Sequence, residues 1–215
     1  MTMGNNNWLD LHRKNITSQS GEDGVIEKVF ELIPGSDRWC CEFGAWDGKK
    51  YSNTFQLLKN KAWSGILIEA DPTKFKELGR TFGDNGKIKC VNRFVNFQGK
   101  GTLDEILSET SIPLDFDLLS IDIDGNDYHI WNSIVRYSPK VVVIEYNQSM
   151  ANHIEYVQAP DVSVNQGSSI SSITQLAKAK GYELIAVTDL NGIFVKKIYY
   201  DLFGIDDNSL DQIRP

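Results

Sequence analysis

The sequence has few cysteines, and their positions exclude two kinds of structure. Its three cysteines are Cys40, Cys41 and Cys90, of which two are adjacent and none forms a CxxC pair. This arrangement excludes a disulfide framework and a structural zinc site of the usual spacing. All three lie in apolar, strand-like runs, which predicts buried and reduced thiols.

Long hydrophobic runs and clusters of basic residues are also missing. No apolar stretch approaches the length that spans a bilayer, and the first residues contain no hydrophobic signal segment. The net charge is −7, with no block of lysine and arginine. These features predict a cytoplasmic protein that neither inserts into membranes nor binds nucleic acid. The sequence carries no signal of an oligomeric state.

What the sequence does contain is a regular alternation of strand-like and helix-like segments between residues 38 and 147. The strand-like segments read RWCCEFG, SGILIEAD, KIKCVNRF, FDLLSIDID and KVVVIEYN. Such alternation predicts βαβ units and a parallel sheet covered by helices on both faces. A helix is expected before the first strand from Ser20, because Ser20 and Asp23 resemble a capping box.

The C-terminal region departs from this pattern. After a helix expected over residues 168–180, YELIAVTDLNGIFVKKIYY predicts two antiparallel strands joined by a turn at Asn191 and Gly192. A parallel sheet that ends in an antiparallel hairpin departs from the plain dinucleotide-binding fold. No repeat or linker divides the chain, so we expect one domain over residues 1–215, with a peripheral leader (1–18) and tail (199–215).

The turn after the first strand, GAWDG, indicates the type of ligand. In the dinucleotide fingerprint G-x-G-x-x-G, the second glycine lets the backbone touch a pyrophosphate. Trp46 occupies that position and Asp47 adds a negative charge, so the turn suits a ligand with a cationic end. S-adenosylmethionine (SAM) is such a ligand. Glu69, at the end of the second strand, is positioned to accept hydrogen bonds from both ribose hydroxyls.

Several segments together resemble one family. CEFGAWDG resembles motif I of the class I SAM-dependent methyltransferases, and LIEADP resembles the acidic motif that follows it. With SQSGEDGVIEKVFE, LSIDIDGNDYHIW and VVVIEYN, the sequence is similar to the FkbM-like group over residues 18–197. The resemblance implies a doubly wound α/β fold, the Rossmann-like methyltransferase fold. Its mostly parallel, seven-stranded sheet has the order 3-2-1-4-5-7-6 and a C-terminal antiparallel hairpin.

The resemblance also implies an activity and a set of cofactor-binding residues. The activity is O-methylation of a sugar or of a surface-polysaccharide or capsule precursor, with a phosphoramidate or amide group as a further acceptor. The residues expected at SAM are Gln19, Glu42, Gly44, Ala45, Asp47, Gly48, Glu69, Ala70, Asn92, Phe94 and Asp122. Asp47 is expected at the amino group and residues 92–95 near the adenine. Alternatively, Glu42 and Asp47 merely cap a helix.

Polar residues at the ends of the fourth and fifth strands are the candidates for chemistry. In one reading, Asp124, Glu145 and Asn147 bind Mg²⁺ or Mn²⁺ through oxygen ligands. In the other, no metal is present and Asp124 or His153 is the general base. A third alternative is that Asp124 simply belongs to a turn.

Residues 148–167 lack periodicity, and loops of this length are usually functional or mobile. They predict a lid that binds a small acceptor, a sugar or a nucleotide-linked molecule, with Tyr156 and Ser168 as possible contacts. Two other functions remain open at this point. An NAD-dependent oxidoreductase shares the sheet and the acid for the ribose, and a non-catalytic protein can keep the fold for SAM binding.

Overall fold

The computed structural model describes residues 6–215, in which seven strands form one sheet of order β3-β2-β1-β4-β5-β7-β6. The strands are β1 (Trp39–Phe43), β2 (Ser64–Glu69), β3 (Ile88–Asn92), β4 (Leu118–Ile121), β5 (Val141–Glu145), β6 (Tyr182–Val187) and β7 (Asn191–Lys196). β1 to β5 pair in parallel, whereas β7 is antiparallel to both β5 and β6. The predicted sheet order and the C-terminal hairpin are confirmed.

Helices connect the strands at the predicted places. They are α1 (Glu22–Leu32), α2 (Phe55–Asn60), α3 (Pro72–Phe82), α4 (Leu103–Ser108), α5 (Asp127–Ser133), α6 (Ile170–Ala179) and α7 (Leu210–Ile213), with 3-10 helices at Trp8–His12 and Lys197–Phe203. α3 begins as its sequence indicates, because the Asp71 carboxylate accepts hydrogen bonds from the N–H groups of Thr73 (2.7 Å) and Lys74 (2.9 Å). No helix in the described residues is long and apolar enough to cross a membrane.

The start of α1 differs from the prediction. The helix follows Gly21, which has a φ of +95° and makes no side-chain cap. Asp23 instead accepts hydrogen bonds from the N–H groups of Ile16, Thr17 and Ser18, all at 2.8 Å. The capping-box prediction is therefore wrong, because Asp23 folds back onto the preceding loop.

The hairpin turn also differs. The N–H of Thr188 donates to the carbonyl of Asn191 (2.8 Å), and Gly192 already pairs with Val187. Asn191 and Gly192 are thus the first residues of β7 rather than the turn. Gly192 is small for another reason, since a Cβ there would lie 2.7 Å from the ring of Phe194.

The core lies on the central strands and reaches the tail. β4 is buried along its whole length, and Trp131 of α5 packs against Tyr182 and Phe194 of the hairpin strands. Cys40 and Cys41 are buried, burial raises the pKa of both thiols, and Cys90 is half-buried.

The segments predicted to be peripheral contribute to this core. Leu9 of the expected leader and Phe203, Ile205 and Ile213 of the expected tail are buried. The indole N–H of Trp8 donates to the carbonyl of Phe203 (2.8 Å), which joins the two segments. Residues 1–5 of the expected leader lie outside the described residues.

Candidate active site

A cavity of about 610 Å³ opens at the carboxyl ends of the parallel strands, where ligands bind in open α/β sheets. The sequence-predicted residues that line it are Gln19, Glu42, Gly44, Ala45, Glu69, Ala70, Phe94, Asp122, Asp124 and Glu145. Gln19 comes from the segment before α1, and the others come from the ends of β1, β2, β4 and β5 and from the loop after β3. The topology therefore gathers at one edge residues that are far apart in sequence.

The remaining predicted residues lie outside the lining of this cavity; they are Asp47, Gly48, Asn92, Asn147 and His153. The Asp47 carboxylate accepts hydrogen bonds from the N–H groups of Lys49 (2.8 Å) and Lys50 (2.7 Å), so it shapes its own turn. The Asn92 amide donates to the carbonyls of Glu69 (2.8 Å) and Ala70 (3.1 Å). His153 is exposed on the long loop after β5.

The two glycines of the turn are required by packing. Gly44 has a φ of +73°, and a Cβ there would lie 1.8 Å from the carbonyl oxygen of Asp122 at the end of β4. Gly48 has a φ of +75°, and a Cβ there would lie 2.6 Å from Leu78 and 2.7 Å from Phe82 of α3. Gly44 thus lets β1 and β4 approach each other beside the cavity, whereas Gly48 seats the turn on α3.

Glu69 fixes the turn against the end of β2. Its carboxylate accepts hydrogen bonds from the N–H groups of Trp46 (2.8 Å) and Asp71 (2.8 Å) while the residue lines the cavity. Trp46, Tyr51 and Asp124 have positive φ angles of 48°, 63° and 57°, and all three line the cavity. Bulky residues rarely adopt this conformation, and backbone strain of this kind clusters at functional sites.

Glu42 has a buried, structural position in the cavity wall. Its carboxylate accepts hydrogen bonds from the Ser52 hydroxyl (2.6 Å), the Asn53 N–H (2.8 Å) and the Thr54 hydroxyl (2.7 Å). Burial raises its pKa, although these bonds act in the opposite direction. Glu42 therefore holds residues 52–54 beside β1, a connection that the motif does not reveal.

Three carboxylates form an acidic group at the ends of β4 and β5. One oxygen each of Asp122, Asp124 and Glu145 lies within 4.8 Å of the others. Burial, followed by the charges of neighbouring acids, raises the pKa of both Asp122 and Glu145. In the absence of a cation, the raised pKa values favour a proton shared between these two acids.

Asn147, predicted as a metal ligand, is not in this acidic group. Its amide oxygen accepts a hydrogen bond from the N–H of Ser149 (3.0 Å), and its amide N–H donates to the carbonyl of Gln166 (2.8 Å). It lines a neighbouring cavity of about 180 Å³, which Asp124 and Glu145 also line. The third acid beside Asp124 and Glu145 is Asp122, which the sequence analysis assigned to the cofactor.

Asn126, in the loop after β4, is a cavity residue to which the sequence alone assigned no individual role. It is 6% exposed and lines the cavity, and its amide N–H donates to the carbonyl of Asp161 (3.0 Å). Its side-chain oxygen has no hydrogen-bond partner within residues 6–215. A buried acceptor without a partner costs free energy, so this oxygen suits a ligand that donates a hydrogen bond. Its place in the Asp-Gly-Asn-Asp turn after β4 was the available signal.

Residues 148–167, here called the lid, are folded around one buried side chain. The Gln158 side-chain oxygen accepts hydrogen bonds from the N–H groups of Gln166 (2.9 Å) and Gly167 (2.7 Å), and its amide donates to the carbonyl of Val164 (2.7 Å). Val162 and Asn165 of the lid line the cavity.

The two residues predicted as acceptor contacts belong to this internal network. The Tyr156 hydroxyl donates to the side chain of Gln166 (2.8 Å), and the Ser168 hydroxyl accepts from the N–H of Gln158 (3.1 Å). Neither residue is in the lining of the large cavity.

The sequence itself matches a known domain in this region. Residues 99–184, which include β4, β5, Asn126 and the lid, match the model of the Methyltransferase FkbM domain. This match covers less than half of the chain, so it shows a likeness of this region to the FkbM domain, while the sheet order is that of the class I methyltransferase fold. None of the curated proteins matches the sequence significantly.

Solved structures show the same fold at low sequence identity. The CurJ carbon methyltransferase is 10% identical, with 87% of this chain and 57% of that chain covered and a TM-score of 0.52. The citrinin polyketide synthase CMeT domain is 12% identical, with 81% of this chain and 50% of that chain covered and a TM-score of 0.51. A SAM-dependent methyltransferase from Clostridium acetobutylicum is 11% identical, with 81% of this chain and 90% of that chain covered and a TM-score of 0.51. The chain thus spans about half the length of the first two, and at these identities the likeness shows the fold alone.

Proposed function

We propose that this FkbM-like protein is a SAM-dependent methyltransferase that methylates a hydroxyl of a sugar or of a surface-polysaccharide or capsule precursor. The observation that carries the proposal is the cavity at the carboxyl ends of β1, β2 and β4, in a sheet of class I order. The type of acceptor is inferred from the FkbM likeness. A phosphoramidate or amide nitrogen of a capsule precursor is the variant of the same proposal.

The chemistry of the cavity wall fits SAM. Glu69, Asp122 and the unpaired oxygen of Asn126 are hydrogen-bond acceptors, which suit an amino group and ribose hydroxyls. Residues 44–46 would lie beneath the methionine part, Glu69 at the ribose and Phe94 beside the adenine. When bound, SAM supplies a methyl group that is open to nucleophilic attack. Trp46 stands where a dinucleotide-binding turn needs glycine, which disfavours NAD⁺.

The acceptor oxygen must be aligned with the methyl group and must lose its proton. Asp124 is the exposed carboxylate of the acidic group, and it lines the cavity on the side of the lid residues Val162 and Asn165. We assign it as the base that receives the hydroxyl proton. His153 lies outside the cavity lining, so the alternative base is the less suitable one.

As the alternative, the acidic group fits an oxygen-binding cation such as Mg²⁺ or Mn²⁺, and Asp124 is then a metal ligand rather than the free base. Asp122, Asp124 and Glu145 would be its ligands, and the ion would supply Lewis-acid polarisation. EDTA should then abolish turnover, and Mg²⁺ or Mn²⁺ should restore it in the wild type but not in Glu145→Gln. Turnover that is unchanged in EDTA would show that no metal is needed. A shared proton would then offset the repulsion between the acids.

The proposal is tested by incubating the protein with SAM and a panel of free sugars, sugar phosphates and nucleotide sugars, with S-adenosylhomocysteine (SAH) release as the readout. Asp124→Asn should lower turnover on the responding acceptor by about a hundredfold or more, because general-base catalysis contributes that much. Its SAH affinity should stay within about threefold of the wild type. Asp115→Asn, an exposed change outside the cavity lining, is the control.

Two outcomes would count against this account. An unchanged rate in Asp124→Asn would remove Asp124 from the mechanism. SAH binding without turnover on any acceptor would favour the non-catalytic SAM-binding alternative.

A further inference from the structure

Cations collect at the cavity mouth although the chain carries a net charge of −7. Lys50, Lys74 and Arg93 all line the cavity. Arg93 already forms an ion pair with Glu109 (2.9 Å). Lys50 and Lys74 form no ion pair with any carboxylate of the described residues, although the same cavity is lined by five acids. We call these two residues the lysine rim.

An aromatic side chain holds the lysine rim. The ammonium nitrogen of Lys74 lies 4.0 Å from the centroid of the Trp46 ring, and that of Lys50 lies 4.9 Å from the same ring. Such cation–π contacts attract the ammonium group but leave its N–H donors available. The charge of neither ammonium group is neutralised by an ion pair with a carboxylate of the described residues, and an unpaired positive charge attracts an anion. The rim is therefore arranged to receive an anion.

Trp46, whose ring contacts both lysines of the rim, is held in position by its backbone. The backbone N–H of Trp46 donates to Glu69 (2.8 Å), and its φ of +48° holds the indole at the mouth, where the residue is 37% exposed. Tyr51 and Phe94, 46% and 52% exposed, also line the cavity. Exposed aromatic rings beside cations suit a ligand that combines a stacking base with a charged group.

The rim and the acidic group select different ends of a ligand. Lys50 and Lys74 follow β1 and β2, whereas Asp122 and Asp124 follow β4 and Glu145 is the last residue of β5. An anion is repelled by the three acids and attracted by the rim. A ligand that contacts the rim and the acidic group together therefore has its hydroxyls or amino group at the acids. Its negative charge lies at the lysines.

We propose that the lysine rim binds a phosphate group of the methyl acceptor, so that the acceptor is a sugar phosphate or a nucleoside-diphosphate-linked sugar. This rests on the proposed function, because it requires SAM to occupy the turn at residues 44–46. SAM carries no phosphate but does carry a carboxylate, which is the competing source of an anion at the rim. The experiment has to separate these two sources.

The test is calorimetric titration of the SAH-saturated protein with UDP and, separately, with inorganic pyrophosphate. Both should bind, with affinity that falls as salt is raised. Lys50→Gln and Lys74→Gln should each weaken this binding about tenfold, or about 1.4 kcal/mol.

The matched controls are Lys49→Gln and Lys76→Gln. Both lysines are exposed and outside the cavity lining, and the ammonium of Lys49 lies 6.0 Å from the ring of Phe55 rather than over Trp46. These variants should bind both ligands as the wild type does. A loss that is as large in the controls would mean that general charge, not the rim, is measured.

Failure of UDP and pyrophosphate to bind the SAH-saturated wild type, or equal binding by the rim variants, would overturn the proposal. It would also be overturned if the rim variants bound SAH about tenfold more weakly but 5′-methylthioadenosine, which lacks the amino-acid part, as tightly as the wild type. The rim would then hold the cofactor carboxylate. Failure of SAH itself to bind, before any phosphate is added, would instead contradict the proposed function.

Discussion

Carboxylates beside the cavity fall into two groups according to what their oxygens accept. Glu42, Asp47 and Asp127 accept hydrogen bonds from nearby backbone N–H groups and shape the loops that follow β1 and β4. Asp124 and Glu145 lie instead in the acidic group at the strand ends. The sequence does not distinguish the two groups, because acids of both groups lie at strand ends or in turns. This is why Asp47 was predicted at the ligand although its carboxylate accepts hydrogen bonds from the backbone of its own turn.

Glu69 and Asp47 should respond differently to truncation. Glu69→Ala should weaken SAH binding at least about tenfold, because the variant loses both the proposed ribose contact and the bonds that hold Trp46. Asp47→Ala should change the affinity by less than about threefold, since Asp47 is outside the cavity lining. Calorimetric titration with SAH measures both. Equal losses in the two variants would contradict this division of roles.

The raised pKa values of Asp122 and Glu145 predict how stability depends on pH. A carboxyl whose pKa is higher in the folded than in the unfolded protein stabilises the fold at low pH, and this is lost as the pH rises through the folded pKa. The free energy of unfolding of the ligand-free protein should therefore fall between about pH 5 and about pH 9. Glu145→Gln should reduce this fall, because it removes one of the two repelling charges.

Thermal unfolding in EDTA at both pH values measures this effect. Glu77→Gln, an exposed change on α3, is the control and should keep the wild-type pH dependence. The same fall in Glu145→Gln as in the wild type would show that the two acids do not repel each other in the folded protein.

At the scale of elements, predictions based on hydrogen bonds between near neighbours in the sequence were correct more often than those for segments with other partners. α4 begins at a local signal, because the Thr102 hydroxyl accepts a hydrogen bond from the N–H of Glu105 (3.4 Å) at its start. The predicted start of α1 was wrong because Asp23 bonds to the preceding loop, and the predicted hairpin turn was wrong because Asn191 and Gly192 belong to β7. Glu22 of α1 accepts hydrogen bonds from Thr188 and from Asn191 (3.0 Å), 166 and 169 residues away. A sequence pattern read over a few residues does not contain such contacts.

The lid is an element whose order depends on a single buried amide. Gln158 is 1% exposed and makes three hydrogen bonds within residues 158–167. Gln158→Ala should lose about 1–3 kcal/mol of stability through the unpaired groups and should speed hydrogen exchange across the lid.

Turnover should fall in Gln158→Ala, while SAH affinity should stay within about threefold of the wild type, since the proposed cofactor contacts lie outside the lid. Gln175→Ala, which removes an exposed amide bonded to Glu155 (2.7 Å), is the control. Hydrogen exchange that is unchanged in Gln158→Ala would show that the lid does not depend on this side chain.

At the scale of the whole molecule, the charged residues at the two ends of the sheet have different surroundings. At one end, the buried Lys140 forms an ion pair with Asp117 (2.9 Å) and donates to the carbonyl of Gly35 (2.7 Å). Asp117 also accepts a hydrogen bond from the N–H of Trp39 at the start of β1 (3.0 Å). The carboxyl ends of the strands instead surround the cavity with acids whose pKa values are raised. Charge is paired where the sheet begins and left available where a ligand is expected.

The parallel sheet and the position of the cavity could be predicted from strand alternation and the motif after β1, whereas the sheet order was implied by the family resemblance. The acidic group could be predicted in part, since the strand ends bring Asp124 and Glu145 together. No role could be predicted for the lysine rim or for Asn126, because their roles depend on a tryptophan ring and a lid carbonyl that only the folded chain supplies. Local patterns thus predict the frame, whereas the ligand-facing side chains depend on tertiary contacts.

The central claim is that this cavity binds SAM, and calorimetric titration of the purified protein with SAM, SAH and NAD⁺ tests it most directly. The account predicts micromolar affinity for SAM and SAH, about −8 kcal/mol, and no binding of NAD⁺. Binding of NAD⁺ alone, or of none of the three, would contradict the account, and the roles proposed for residues 44–46 and Glu69 would then be wrong.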